Sequence, residues 1–130
     1  MELRSKFAIA LLVAGLTTAS TVVAQEKKIK REELPAAVEK TVAEQSKGAA
    51  IKGFSKEIEK GKTYYEAELS VSGHGKDILM DESGKIVEIE EEVSLDSLPS
   101  AVKEGLEKAA GAGKISKVES LAKKGTLVAY

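Results

Sequence analysis

Residues 63–72 alternate between apolar and polar side chains, and this pattern limits the fold more than any other feature of the chain. One set of positions holds Tyr65, Ala67, Leu69 and Val71, and the intervening set holds Tyr64, Glu66, Glu68 and Ser70. Because successive side chains of a strand point to opposite faces, the pattern predicts a strand with one apolar and one polar face. Such strands are typical of antiparallel sheets that pack one face and expose the other to solvent.

Strand-like segments flank this strand on both sides. Residues 49–58 precede it, and Gly53 is predicted to mark a β-bulge because Ile51 and Phe54 do not share a face by simple alternation. Strands at 76–80 and 86–93 follow, with turns predicted at 60–62, 73–75 and 81–84. In the last strand, one face holds Val87, Ile89, Glu91 and Val93, and the other holds Ile86, Glu88, Glu90 and Glu92. We expect the packed side of the sheet to hold Tyr65, Leu69, Val87 and Ile89.

Residues 34–47 have the pattern of a helix, in which Leu34, Val38 and Val42 recur at every fourth position. Pro35 suits the first turn, where its missing N–H costs nothing, and Gly48 suits a left-handed cap just past the end. The apolar face is narrow, so the helix needs a sheet to pack against. The predicted fold is α+β, with a helix packed on an antiparallel β-meander and one complete α-β-β-β-β unit at residues 34–93.

Residues 94–130 resemble the front of that unit. At a shift of 64 positions, Leu98, Pro99, Ala101 and Val102 repeat Leu34, Pro35, Ala37 and Val38, and Lys124-Gly125 repeats Lys60-Gly61. The pattern predicts a truncated second repeat. Three alternatives stay open: the second copy stops early, it completes the sheet of the first unit, or its last strand swaps onto another molecule to form a strand-swapped dimer.

The N-terminus is predicted to be a signal peptide at residues 1–24. Arg4 and Lys6 form a basic start, an apolar stretch covers 7–16, and Ala24 offers a small residue at the cleavage point. A secreted or periplasmic protein that leaves the membrane after cleavage is expected. Residues 25–33 are mostly charged and are predicted to be a solvated lead-in.

Composition argues against several classes of function. Removal of residues 1–24 takes away two cations and one anion, so the net charge moves from −1 to −2, which gives no basic face for nucleic acid. The chain has no cysteine and one histidine, His74, so a zinc site of the usual kind is not expected. His74 is predicted to be a turn residue. No serine lies in a nucleophile motif, so neither a catalytic residue nor a cofactor is predicted and the protein is expected not to be an enzyme.

Tyr64 is the residue that most favours a partner-binding role, with Glu66 and Glu68 beside it on the polar face. Its ring is expected to be exposed, and tyrosine is enriched at protein interfaces because it offers a large area with a polar tip. The acidic positions of residues 88–92 are expected to form a solvated sheet face, although binding of calcium or of a basic partner there is the alternative.

The order of motifs resembles the PepSY-like family, also described as β-lactamase-inhibitor-like. Leu34-Pro35, residues 64–69 and residues 81–87 carry the resemblance. It implies a secreted or periplasmic protein with a helix packed on an antiparallel sheet, often in two tandem units. It also implies binding or inhibition of extracytoplasmic proteins such as peptidases, and no family residue carries over as a contact.

Two functions follow as hypotheses. The first is a non-enzymatic extracytoplasmic module that binds an unidentified protein through its sheet face or a strand edge, and so inhibits or modulates a secreted or periplasmic enzyme such as a peptidase. The second is a small-ligand or calcium-binding envelope sensor that uses the acidic strand and the turn at 73–75.

Overall fold

The computed structural model describes residues 25–130. Its strands are β1 (Gln25–Ile29), β2 (Ala50–Glu59), β3 (Lys62–Val71), β4 (His74–Asp81), β5 (Ile86–Val93), β6 (Val118–Lys123) and β7 (Thr126–Ala129). Its helices are α1 (Ala36–Gln45) and α2 (Ser100–Ala110), and a short 3-10 turn precedes each, at Arg31–Glu33 and Leu95–Ser97.

Within this range the strands form one sheet in which the order in space is the order in sequence, β1 to β7. Every neighbouring pair is antiparallel. Sequential strands pair readily in this way because each hairpin closes only a short loop. Helix α1 lies in the β1–β2 connection and α2 in the β5–β6 connection. The α+β class and the antiparallel meander are thereby confirmed.

The core lies between α1 and the centre of the sheet. Val38 and Val42 of α1 are 0% and 1% exposed, and they pack with Tyr65, Ala67 and Leu69 of β3 and Ile78 and Met80 of β4. Full burial of side chains of this size stabilises a fold by about 1.5–3 kcal/mol each. The face of β3 that was predicted to be apolar is therefore the face that packs in the core. The polar residues of β3 lie on the opposite face of the sheet.

Helix α1 is tied to the sheet at the β4–β5 turn. The Thr41 hydroxyl donates to the carbonyl oxygen of Gly84 at 2.6 Å. Gly84 has a φ of 79°, and a Cβ at this position would clash with the carbonyl of Ala37. Only glycine fits at position 84, because its backbone has a positive φ and the backbone of α1 lies directly against it.

Two details of the strands differ from the sequence prediction. The turn between β3 and β4 consists of Ser72 and Gly73, both with positive φ, so His74 and Gly75 belong to β4 instead of a turn. The second difference is a register shift between Leu79 and Met80, which pairs Met80 with Ile86. Ile86 therefore packs against the core in place of Val87, whereas Ile89 packs there as predicted. The bulge near Gly53 is confirmed, since the β2–β3 register shifts between Ile51 and Gly53.

The predicted lead-in contains a strand. Residues 25–29 pair with β2 from Gln25 opposite Ile58 to Ile29 opposite Phe54, and Ile29 packs against the core. Backbone hydrogen bonds to the edge of β2 and the apolar contact of Ile29 are enough to hold this segment as a strand. Its charged side chains are no obstacle, because such side chains are common on edge strands. The predicted signal peptide, residues 1–24, lies outside the described residues.

The second half of the chain continues the same sheet. Strand β6 pairs with β5 from Val93 opposite Val118 to Glu88 opposite Lys123. Leu98, Val118 and Leu121 are buried, whereas every residue of α2 is exposed or half-buried. At the free edge, β7 is followed by Tyr130, and the large apolar side chains Leu127, Val128 and Tyr130 are exposed.

Candidate functional site

The register of the sheet sorts its side chains onto two faces. Ile29, Phe54, Ala67, Ile78, Ile89 and Ala122 lie in one cross-strand row on the face that α1 covers. The neighbouring row consists of Lys28, Ser55, Glu66, Leu79, Glu88 and Lys123, and it lies on the opposite face. We call the side covered by α1 the helix face and the other side the outer face.

The outer face is strongly acidic. Its carboxylates are Glu26 on β1, Glu57 and Glu59 on β2, Glu66 and Glu68 on β3, Asp77 and Asp81 on β4, Glu88, Glu90 and Glu92 on β5 and Glu119 on β6. The cations on this face are Lys28, Lys62 and Lys123. Other lysines of the strands, such as Lys27, Lys56 and Lys76, fall on the helix face. A chain with a net charge near zero thus carries one face on which carboxylates far outnumber lysines.

The three residues predicted to bind a partner all lie on this acidic outer face. Tyr64 is half-buried opposite Glu57 of β2 and Asp81 of β4, so its ring is more covered than the sequence suggested. Glu66 is 7% exposed, and Glu68 is half-buried between Gly53 and Asp77. The predicted set is therefore brought together, but as part of a larger group of carboxylates.

The most perturbed carboxyl of the face is that of Glu90. Burial, a hydrogen bond with Glu119 and the charges of Glu119, Asp77 and Glu88 raise the pKa of Glu90 to about 7. Lys117 forms an ion pair with Glu119 on the far side of this hydrogen bond from Glu90. The outer face therefore gains charge as the pH rises towards neutral.

Two further carboxyls of the face, those of Glu57 and Glu88, also have raised pKa values. Burial and the nearby charges of Glu59, Glu26 and Glu88 raise the pKa of Glu57, which is 4% exposed. One buried oxygen of Glu57 and one of Glu26 have no hydrogen-bond partner, and the two residues lie directly opposite each other on β2 and β1. Burial also raises the pKa of Glu88, although Lys123 lies 3.6 Å away and opposes that shift. Repulsion of this kind is relieved by a cation.

A cleft opens where the hairpin turns meet at one end of the outer face. We call it the hairpin-end cleft; its volume is about 680 Å3. Its lining comprises Glu59, Gly61, Lys62, Thr63, Tyr64, Leu79, Asp81, Glu82, Ser83, Lys85, Val87, Glu88 and Lys124. Tyr64 therefore belongs both to the acidic outer face and to the lining of this cleft.

His74 lies away from this face. It occupies the helix face at the start of β4, and its Nε2 lies 3.1 Å from Oε1 of Glu91. Among residues 25–130, no group of three or more His, Asp or Glu side chains is arranged to hold a metal ion. The carboxylates of the outer face instead form an extended surface, which suits a ligand with several positive charges better than a single ion.

Sequence reasoning missed Glu57, Asp77 and Glu119 as members of the face. Alternation within one strand shows which of its residues share a face, but not which face of the sheet that is. The pairing of the strands decides which residues of different strands lie on the same face. The sequence did contain a signal for Glu57. After the bulge at Gly53, Ser55 and Glu57 alternate with the core residue Phe54, so both fall on the opposite face. Asp77 and Glu119 fall in short strands where few alternating positions define a face.

Comparisons with known proteins give a likeness of fold. No protein-family model matches the chain, and no curated protein sequence matches it. A solved DUF2874 family protein from Bacteroides ovatus superposes with a TM-score of 0.50 at 21% identity, over 69% of this chain. This chain spans 62% of that protein's length, and the likeness concerns the fold alone.

Two further solved structures are more distant. One, from Bacteroides thetaiotaomicron, is provisionally described as a calcium-regulated periplasmic protein; it has 15% identity and a TM-score of 0.44, over 79% of this chain and 94% of its own. The other, from Bacteroides vulgatus, is provisionally described as a periplasmic protein of unknown function, with 14% identity and a TM-score of 0.42, over 81% and 96%. Neither helix between residues 25 and 130 has the length and apolar character that crossing a membrane demands.

Proposed function

We propose that this protein is a non-enzymatic extracytoplasmic binding module that holds a cationic segment of another protein on its acidic outer face. The observation that carries the proposal is the collection of carboxylates from six neighbouring strands on one side of the sheet. Inhibition or modulation of a secreted or periplasmic enzyme such as a peptidase is the biological role that we propose for this binding.

The electrostatics of the face support a cationic ligand. Burial first, and then the charges of neighbouring carboxylates, raise the pKa values of Glu57, Glu88 and Glu90, so these groups are costly to charge together. A segment with several lysine or arginine side chains would offset that repulsion at several positions at once. Complementary charge of this kind gives specificity and a fast encounter, and its effect weakens as salt is added.

Placement outside the cytoplasm is part of the proposal. It rests on the signal-peptide pattern of residues 1–24, with a basic start, an apolar stretch and a small residue at 24. We also propose that the chain is a PepSY-like protein whose residues 94–130 are a partial repeat of the first unit. In support, a 3-10 turn, a helix and a hairpin follow each other in both halves, and Lys60-Gly61 and Lys124-Gly125 have nearly the same φ values.

The test compares two charge-neutralised proteins with the same change in net charge. One carries Glu59→Gln, Glu68→Gln and Glu92→Gln on the outer face, and the control carries Glu44→Gln, Glu104→Gln and Glu107→Gln on the exposed sides of the helices. The probe is acetylated pentalysine amide, and its affinity is measured by isothermal titration calorimetry at low and at physiological salt.

Each exposed charge pair contributes about 0.2–1 kcal/mol, so the loss of three carboxylates should weaken binding of the probe to the outer-face variant by roughly 3- to 150-fold. The helix variant should lose far less. Equal losses in the two variants would mean that the probe responds to net charge alone, which would remove the acidic face from the account.

The calcium sensor is the rival proposal. Its support is the density of carboxylates on the outer face. Calcium needs six to eight oxygen ligands around one point, whereas these carboxylates are spread along the sheet. A melting temperature that rises with calcium concentration in the wild type, and not in the outer-face variant, would favour the sensor.

A further inference from the structure

The hairpin-end cleft differs from the rest of the outer face because its floor is apolar. Tyr64, Leu79 and Val87 line it, and Leu79 is the one apolar side chain in a row that otherwise holds Lys28, Ser55, Glu66, Glu88 and Lys123. Leu79 is 6% exposed, and the other two are half-buried. Three apolar side chains from three adjacent strands thus meet at one end of an acidic surface.

The floor exists because of the bulge in β5. By simple alternation with Ile89, Val87 would pack under α1. The register shift between Leu79 and Met80 places Ile86 in the core instead, and Val87 lines the cleft beside Glu88. The backbone carbonyl of Val87 also accepts a hydrogen bond from the N–H of Lys124 at 3.1 Å, which fixes this position against the β6–β7 turn. Bulges often re-aim a side chain next to a functional site.

The rim of the cleft carries both signs of charge. Its acids are Glu59, Asp81, Glu82 and Glu88, and its lysines are Lys62, Lys85 and Lys124. Asp81 is occupied by its own turn, where Oδ1 accepts from the backbone N–H groups of Ser83 and Lys85, and Glu88 faces Lys123. A rim with mixed and partly satisfied charges gives no clear advantage to a cation or to an anion, in contrast to the acidic face beside it.

We propose that the hairpin-end cleft holds an aromatic side chain that neighbours the basic residues of the segment bound on the acidic face. This inference rests on the proposed function and adds the kind of residue that the partner must contain. The cleft volume of about 680 Å3 lies within the usual range for ligand pockets. Tyr64 offers a ring against which a second ring can pack edge-to-face or offset, and Leu79 and Val87 complete an apolar contact.

Interfaces commonly rely on a few aromatic anchors in apolar pockets, with charged residues around them that set orientation and specificity. The arrangement here has both parts: an extended carboxylate surface for the basic residues and, at its end, a cleft with an apolar floor. The rim favours neither sign of charge, whereas Tyr64, Leu79 and Val87 offer apolar contact, so an uncharged aromatic ring is the better match.

The test uses acetylated peptides of four lysines that end in tryptophan, alanine or arginine amide. With the wild type, the tryptophan peptide should bind about tenfold more tightly than the alanine peptide, and more tightly than the arginine peptide. Tyr64→Ala should remove most of this preference, and Tyr64→Phe should retain it. The matched control is Tyr130→Ala, which truncates an exposed tyrosine outside the cleft.

Failure of this inference is distinct from failure of the proposed function. If all three peptides bind the wild type equally, or the arginine peptide binds best, the aromatic anchor is wrong while the acidic face stands. If none binds, the proposed function fails, and the cleft is tested alone with neutral N-acetyl-tryptophanamide by methyl NMR. The methyl signals of Leu79 and Val87 should then shift and those of exposed Val128 should not. The absence of any shift at Leu79 and Val87 would overturn the anchor.

Discussion

Replacement of Glu90 by glutamine is expected to stabilise the protein at pH 8 and to leave its stability nearly unchanged at pH 4. Burial, the hydrogen bond with Glu119 and nearby charges raise the pKa of the Glu90 carboxyl from 4.5 to about 7. A glutamine amide at this position is neutral at every pH and can donate to the Glu119 carboxylate. The substitution therefore removes the charge without removing the donor.

The size and the sign follow from linkage. A pKa difference of one unit corresponds to about 1.4 kcal/mol, so a shift of this size corresponds to at most about 3–4 kcal/mol. Because Glu90 is only part-buried and is coupled to Glu119, solvent screening and that coupling leave about 1–3 kcal/mol for Glu90. Because the folded state holds the proton more tightly than the unfolded state, this contribution is fully present below pH 4.5. It is lost as the pH rises from 4.5 through about 7.

Urea unfolding followed by far-UV circular dichroism at pH 4, 6 and 8 measures this difference. The difference between Glu90→Gln and the wild type isolates Glu90, because carboxylates with lowered pKa values, such as Asp81, contribute equally to both proteins. The control is Glu104→Gln on the exposed side of α2, which should track the wild type at every pH. Equal stability of Glu90→Gln and wild type at pH 8, or a gain that is the same at all three pH values, would refute the reasoning.

Three further predictions concern the fold and its ligand. Gly84→Ala should destabilise the protein by roughly 1–3 kcal/mol or more in urea unfolding, because φ is positive and a Cβ meets the Ala37 carbonyl; Gly61→Ala, at a positive φ but in open space, should cost less, and a reversed order would contradict the packing of α1. Val42→Ala should cost about 1–3 kcal/mol by the same measurement, and a negligible loss would place α1 away from the core. Calcium at millimolar concentration should leave the melting temperature of the wild type unchanged, and a concentration-dependent rise would support the sensor instead.

The sequence pattern within a single helix or strand was enough to predict several parts of the fold. The alternation in residues 63–72 placed Tyr65 and Leu69 in the core, and the fourfold spacing of Val38 and Val42 placed α1 on the sheet. The structure confirms both. The left-handed φ of 74° at Gly48 and the bulge at Gly53 were also visible in sequence, because glycine marks positions that other residues disfavour. The predicted cap at Gly48 was misplaced, since α1 ends at Gln45 and Ser46 is its C-cap.

Features that depend on pairing between elements were not predictable in this way. Residues 25–29 carry little apolar surface, and they form a strand because the β2 edge offers hydrogen-bond partners. Val87 was predicted to pack in the core. The β5 bulge that moves it out of the core lies opposite Leu79 and Met80 and contains no glycine, so no residue type in the sequence marked it. The extent of the acidic face depends on the order of all seven described strands. Tyr64, Glu66 and Glu68 were therefore found, whereas Glu57, Asp77 and Glu119 were not.

The central claim is that the acidic outer face binds a cationic segment, and backbone NMR tests it most directly. Titration of isotope-labelled protein with acetylated pentalysine amide at low salt should shift the amide signals of β3, β4 and β5 in a saturable way. The signals of the exposed side of α1 should stay in place, and added salt should reverse the shifts. Shifts that are spread evenly over helices and strands, or that are confined to the edge strand β7, would contradict the account.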